Sequence, residues 1–360
     1  MSGVGTDRSV SPLRAAVLGA GQISAEHMRF LQRSSRAQFA AVCDLSNALA
    51  RYSADRFGAE HAYTEHARML EEIKPDVVHV LTPPHTHVAL AAECLKAGAH
   101  VIVEKPVAPT NAEFRALWTQ AQQCGRVLVE DHNYRFNQQA LAIETLVNDG
   151  ALGDIREVEV RMALPITEPG GAFSDTNLPN PCHRLPAGAL HDFLPHLCYL
   201  ALRFLPNVET VKAAWRKQSD HPLFTYDSCD ALVVGGGVHA RLRFSSHQSP
   251  DCFALIVRGS RGWVETDFFQ PYFRLNIPRS GGKQLTPLVN QFVNGAGLMK
   301  ASLRGFMNKI RRITPLEGLQ TFLDRTYTAL QTDAPPPVTY EDMDRTTSLI
   351  DALVAEENRI

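Results

Sequence analysis

Several things are scarce in this sequence, and each scarcity excludes something. No apolar run is long enough to cross a bilayer; the most apolar stretch, Phe193 to Leu205, is short and carries His196 and Arg203. Met1 to Arg14 is polar and lacks an apolar core, so neither a secretory signal nor a membrane anchor is expected there. The seven cysteines form no CxxC pair and no Cys/His metal spacing. An odd, scattered set of this kind argues against a disulfide framework or zinc site, so no metal is expected and a cytoplasmic address fits. An excess of one charge is missing too. With 36 Lys and Arg against 38 Asp and Glu, the net charge is -2, which leaves no basic field for nucleic acid.

What is present is an ordinary globular composition over 360 residues, too long for one core, so two domains are expected. The first third alternates apolar strands and amphipathic helices. Strands read at Leu13–Leu18, Phe39–Cys43, Asp76–Leu81, His100–Val103 and Val127–Val129. Helices read at Ile23–Gln32, Ser46–Phe57, up to Ile73, at His85–Lys96, and after the Thr110/Glu113 capping pattern. That alternation predicts an α/β domain with a doubly wound parallel sheet. The expected organisation is a tail over 1–13, a Rossmann domain over 14–135 and a second domain over 136–360. The last helix is a candidate to pack back on the first domain.

Gly19-Ala20-Gly21-Gln22-Ile23-Ser24 falls between the first strand and the first helix. Glycine at 19 suits a tight turn, glycine at 21 lets backbone approach a pyrophosphate, and the helix N-terminus offers N–H groups to that anion. Ser24 is small enough for close helix–strand packing. A glycine pair alone also ends strands for structural reasons, but Asp44 follows the second strand at the offset of an acid that binds the adenosine ribose. A carboxylate there, with no arginine beside it, selects NAD over NADP.

Two further segments carry a family likeness. Thr82-Pro83-Pro84-His85-Thr86-His87 leads into Gly98-Ala99-His100-Val101-Ile102-Val103-Glu104-Lys105-Pro106, and Gly188 to His196 contains an Asp-x-x-x-His pattern. The chain resembles the glucose–fructose oxidoreductase/inositol dehydrogenase (Gfo/Idh/MocA) family, whose hallmark is such a Glu-Lys-Pro. The resemblance implies an α+β second domain on an open, mostly antiparallel sheet and a sugar, nucleotide-sugar or cyclitol substrate. It adds Thr82, Pro83, His87 and Glu104 to the cofactor set of Gly19, Gly21, Gln22, Ile23, Asp44 and Lys105. Two positions depart from the family pattern: Pro186-Ala187-Gly188 replaces a three-glycine run, and Tyr199 stands where an aspartate is frequent.

The strand content of the second half agrees, with strands at Ile155–Met162, Val208–Trp215, Ala231–Gly235, Val238–Phe244, Phe253–Arg258 and Gly262–Asp267. Gly235-Gly236-Gly237 reads as a hairpin turn, and Asp342–Glu357 as a closing helix. An open sheet face predicts a homodimer or homotetramer.

Oxidising a secondary alcohol needs a base for the hydroxyl proton and a positive group beside the developing alkoxide. Lys105, at the C-terminal end of a sheet strand, suits the second role, and Asp192 with His196 the first. Four residues apart, the latter pair would share one helix face, with His196 as base and Asp192 orienting it. A loop-start lysine and a helix-surface pair are the structural alternatives. Arg135, His183 and Arg184 are weaker candidates for substrate contact. A helical stripe from Met299 to Ile313, with Lys300, Arg304, Lys309, Arg311 and Arg312, could serve an anionic substrate, a partner, a lipid surface or its own domain. Two other functions fit the same fold: a non-catalytic dinucleotide-binding regulator and an NAD-retaining glycosidase.

Overall fold

The computed structural model describes residues 11–270, 272–279, 282–310 and 317–356. Positions 1–10 of the expected tail, 311–313 of the basic stripe and Glu357 of the closing helix lie outside the described residues.

In chain order the first elements are β1 (Leu13–Leu18), α1 (Ser24–Arg33), β2 (Ala37–Cys43), α2 (Asn47–Phe57), β3 (His61–Tyr63), α3 (His66–Ile73) and β4 (Val77–Val80). They are followed by α4 (His87–Lys96), β5 (His100–Val103), α5 (Asn111–Cys124) and β6 (Leu128–Glu130). Next come α6 (Gln138–Asn148), β7 (Ile155–Ala163), α7 (Leu194–Leu202), β8 (Thr210–Arg216), β9 (Ser228–Gly235) and β10 (Val238–Ser245). The series ends with β11 (Cys252–Gly259), β12 (Trp263–Asp267), β13 (Tyr272–Asn276), α8 (Gly282–Ile310), α9 (Glu317–Thr332) and α10 (Tyr340–Ala355).

Two compact units result. The first takes the described residues up to Val107, then Arg115–Asp131 and Gln320–Thr339; the second takes Ala108–Phe114, His132–Leu319 and the chain from Tyr340. The sequence suggested one crossing at 135/136. The chain instead enters the second unit at Ala108–Phe114 and again after Asp131, and most of α9 returns to the first.

The first unit is a six-stranded sheet of order β3-β2-β1-β4-β5-β6, all of it parallel. Its central strands are apolar on both faces because helices cover both: Ala15, Ala16, Val17, Val77, Val78, Val101 and Val103 are wholly buried. The order reverses between β1 and β4, the switch point where such sheets collect ligands at the carboxyl ends of their strands. Ser46, the expected first residue of α2, is instead its cap, accepting the Leu49 N–H at 3.4 Å, and the helix begins one residue later at Asn47.

The second unit is a seven-stranded sheet of order β13-β12-β11-β7-β10-β9-β8, antiparallel except for the β7–β10 pair. The expected glycine hairpin is present: Gly236 and Gly237 both have positive φ, and Val238 pairs with Gly235. Half of the expected α5 capping pattern forms within this unit: Thr110 Oγ1 accepts the Glu113 N–H at 3.3 Å, while the Glu113 carboxylate takes the Thr110 hydroxyl at 2.8 Å. Helix α7 is apolar all round and every one of its residues is buried, against β7, β10 and α10. Any polar side chain on α7 must therefore find protein partners or lose a hydrogen bond, at about 1–3 kcal/mol.

Candidate active site

The cofactor half is built on the carboxyl edge of the parallel sheet. β1 ends at Leu18; the φ of the next residue, Gly19, is +93°, and a Cβ there would lie 2.7 Å from the Leu81 carbonyl oxygen, so only glycine fits. Gly21 is different: a Cβ on it would meet no atom within 4 Å. Packing does not demand glycine at 21, whereas close approach of a pyrophosphate does. Ser24 begins α1, is 1% exposed, and donates from Oγ to the Gly21 carbonyl at 2.5 Å.

Asp44 stands at the end of β2 and braces this loop. Its Oδ2 accepts the Ala20 N–H and its Oδ1 the Ser46 N–H, each at 2.8 Å. Each carboxylate oxygen keeps a second lone-pair direction, which suits the paired hydroxyls of a ribose. The glycine loop and Asp44 thus fit a dinucleotide, with the fold of strand, turn and helix that such a group requires.

Thr82 and Pro83 follow β4, and Glu104 and Lys105 follow β5, on the same edge. Thr82 Oγ1 shares a hydrogen with Thr86 Oγ1 at 2.7 Å. The buried His87 ring has Nδ1 2.8 Å from the Pro106 carbonyl oxygen and Nε2 2.7 Å from that of Thr82. This ring lies between the Thr82–Pro83 turn and the loop bearing Lys105. The loop is tied a second time, where Val107 donates its N–H to buried Glu130 Oε1 at 2.8 Å.

The second unit supplies the other candidates. Asp192 and His196 do not share one helix. Asp192 ends a 3-10 turn, Gly188–Asp192, while His196 belongs to α7, with Phe193 between the two segments. Pro195 explains the break: it lacks an N–H and fits only a first turn, so a new helix starts around it. Both side chains are nonetheless buried, His196 at 7% and Asp192 at 9% exposure.

Tyr199 is the hydrogen-bonding neighbour of His196 Nδ1. The Tyr199 phenol oxygen is 2.8 Å from His196 Nδ1, donates to Asn133 Oδ1 at 3.2 Å and accepts the Tyr134 N–H at 3.2 Å. With its one proton on Asn133, the phenol acts as acceptor for an Nδ1–H of His196. That arrangement would leave the lone pair on Nε2, the form a general base requires. His132 stacks on the Tyr199 ring at 4.4 Å, and the Tyr134 ring meets the imidazole edge-on at 5.1 Å. In the sequence Tyr199 stands out only as a departure from a family pattern; its helical i, i+3 spacing from His196 is the signal that ties the two together.

The weaker substrate candidates separate. Arg135 is buried and paired with Asp342 of α10 at 2.9 Å, so its charge is already spent on holding that helix. His183 Nε2 lies 2.8 Å from the Phe173 carbonyl oxygen, and its ring packs edge-on against Phe224 at 4.9 Å. Arg184 is exposed. All seven cysteines are free, and burial pushes the Cys94 and Cys229 thiols up to about 12, far from thiolate chemistry. Among the described residues no cluster of His, Cys, Asp and Glu could hold a metal ion.

Family models match both parts of the chain. The family model described as an oxidoreductase family with an NAD-binding Rossmann fold matches residues 13–132, and a GFO/IDH/MocA C-terminal domain model matches 140–265. A D-glucoside 3-dehydrogenase of Escherichia coli (strain K12) is 32% identical over 262 residues, 72% of this chain and 71% of its own length. The inositol 2-dehydrogenase of Rhizobium meliloti (strain 1021) is 27% identical over 173 residues, 46% of this chain and 52% of its own. Among solved structures, levoglucosan dehydrogenase in complex with NADH and levoglucosan has a TM-score of 0.79 at 16% identity, covering 97% of this chain and 98% of its own.

Proposed function

Because the chain belongs to the Gfo/Idh/MocA oxidoreductase family, with that family's NAD-binding Rossmann domain, we propose that it moves a hydride between NAD and a sugar-like secondary alcohol or ketone. The observation that carries this reading is the carboxyl edge of the parallel sheet, where one edge bears an open-backed Gly21, the Asp44 brace and Lys105.

NAD, when bound, supplies the hydride acceptor or donor. The residues that would hold it are Gly19, Gly21, Gln22 and Ile23 at the pyrophosphate, Asp44 at the adenosine ribose, and Thr82 and Pro83 along the same edge. Lys105 stabilises negative charge on the reacting substrate oxygen. His196, fixed in one tautomer through Tyr199, takes or returns the hydroxyl proton at Nε2. Asp192 stabilises the imidazolium that results. Arg135, His183 and Arg184, the last exposed at the end of a short turn, are the candidates for substrate contact. The glucoside, apiose and inositol dehydrogenases among the relatives support a sugar, nucleotide-sugar or cyclitol as the substrate class. The reading extends to a cytoplasmic homodimer or homotetramer, which size exclusion with light scattering would check.

Incubating the purified chain with NAD and a panel of glucosides, free sugars and cyclitols tests the function. NADH should accumulate at 340 nm with at least one substrate, and a keto product should appear by NMR. Sugar release without net NADH would mark a glycosidase, and dinucleotide binding with no turnover across the panel would mark a regulator. Either result overturns the dehydrogenase reading.

A further inference from the structure

Helix α8 is turned inside out. An amphipathic helix ordinarily packs its apolar stripe on its own core and shows polar residues to water. Here the polar side faces the sheet: Asn290, 3% exposed, accepts from Arg279 Nε at 2.7 Å and donates to the Ile277 carbonyl at 3.0 Å, and Asn294 Oδ1 accepts the Leu275 N–H at 3.0 Å. The apolar side faces away. Leu288, Phe292, Met299, Leu303, Phe306 and Ile310 recur at three-, four- and seven-residue spacings and are each 60% exposed or more. At 29 residues the helix runs about 43 Å, so this is a long apolar ridge rather than a few scattered side chains.

Its charge has one sign. Gly282–Ile310 contains no Asp or Glu, but it contains Lys283, Lys300, Arg304 and Lys309, and Arg311-Arg312 follow in the sequence. Each residue turns the helix by about 100°, so Lys300 and Arg304 flank Met299 and Leu303 at the border of the ridge. A cationic border beside an exposed apolar face lets aliphatic stems lie along hydrocarbon while the charges reach headgroups.

We propose that α8 lies in the plane of an anionic lipid surface and holds the protein there peripherally. Among the described residues no helix is long and apolar enough to cross a membrane, so the contact is interfacial. Charge complementarity decides between the two occupants of such a face. A second copy docking α8 on α8 would set basic borders side by side with no carboxylate on either helix, whereas anionic headgroups pair with both. The inference is independent of the proposed chemistry, since none of its residues belongs to the candidate active site.

Vesicle flotation of the full chain tests it, comparing phosphatidylcholine alone with phosphatidylcholine mixed with phosphatidylglycerol. Binding to the anionic vesicles should exceed that to the neutral ones by about tenfold or more and should weaken as salt rises. Lys300→Glu with Arg304→Glu, and separately Phe292→Glu with Phe306→Glu, should each reduce it by about tenfold or more while leaving the thermal midpoint and dinucleotide affinity unchanged. Equal binding to both vesicle types, or variants that bind like the wild type, would overturn the proposal. So would a wild type that ignores vesicles but loses a dimer, by light scattering, on Phe292→Glu with Phe306→Glu; the ridge would then be a contact between copies.

Discussion

Tyr199 holds His196 by its phenol oxygen, 2.8 Å from the imidazole Nδ1 three residues earlier on a fully buried helix. The phenol is fixed in turn by Asn133 and the Tyr134 N–H, so the imidazole is oriented by a chain of neutral groups. Tyr199→Phe should therefore lower kcat by about tenfold or more with little change in KM. Removing an acceptor from Nδ1–H disfavours the imidazolium, so the acid limb of the kcat/KM profile should move to lower pH. A rate loss with an unmoved acid limb would reduce Tyr199 to packing. His196→Ala should cost roughly a hundredfold to ten-thousandfold, and His196→Asn nearly as much, because an amide accepts no proton near neutrality. Asp192→Asn should lose rate by weakening stabilisation of the imidazolium.

Lys105→Ala should depress turnover strongly while dinucleotide affinity stays within a few-fold, since its proposed partner is the reacting oxygen. His87→Ala makes the useful contrast. Loss of the ring that ties the Thr82 turn to the Lys105 loop should lower the thermal midpoint as well as turnover. Steady-state kinetics beside dinucleotide titration separates the two. Near-normal turnover in Lys105→Ala would remove it from the mechanism.

The nucleotide fold was legible because a parallel sheet buried on both faces leaves uninterrupted apolar strands, and Gly19 and Asp44 punctuate them at fixed offsets. β3 escaped notice because three residues, His61–Tyr63, carry no period. Helix α6 and most of α8 escaped for different reasons: α6 buries only part of one face, and α8 presents its stripe outward. The single helix expected for Asp192 and His196 fails at Pro195, which lacks an N–H and fits only a first turn. The Tyr199 network depends on Asn133 and Tyr134, more than sixty residues away in sequence, so no local pattern could announce it.

Asp44 has two duties, and its replacement separates them. Asp44→Ala should weaken NAD binding and narrow the preference over NADP, through lost ribose contacts and lost repulsion of a 2′-phosphate. It also frees the Ala20 and Ser46 N–H groups, so the glycine loop should exchange its amide hydrogens faster even without dinucleotide. Titration of both dinucleotides and hydrogen exchange of the free protein check the two effects. A wild type that binds NADP more tightly than NAD would refute the selectivity.

The last prediction concerns a buried histidine pair in the first unit. His27 Nδ1 and His79 Nδ1 are 2.9 Å apart, and His79 Nε2 is 2.9 Å from the Tyr327 hydroxyl of α9, with all three residues fully buried. One proton serves the nitrogen–nitrogen contact; a second would set N–H against N–H. Burial pushes His27 down to about 4, against a smaller upward pull from Glu104 and Glu26, and burial also depresses His79. Burial thus favours neutral rings over the pull of these carboxylates and of buried Asp131, 3.7 Å from His27 Nε2, whereas the unfolded chain takes up protons below about pH 6.5. The stability contribution is complete above about pH 6.5 and is lost as pH falls from there toward 4. Between pH 7 and 5 His27 alone should cost the fold about 2 kcal/mol. Urea unfolding at the two pH values measures this, and His27→Gln, which cannot titrate, should flatten the dependence by about one proton's worth, roughly 1.4 kcal/mol per pH unit near pH 5. Parallel pH dependences for wild type and variant would mean that His27 is already protonated in the fold, and the neutral pair would have to be abandoned.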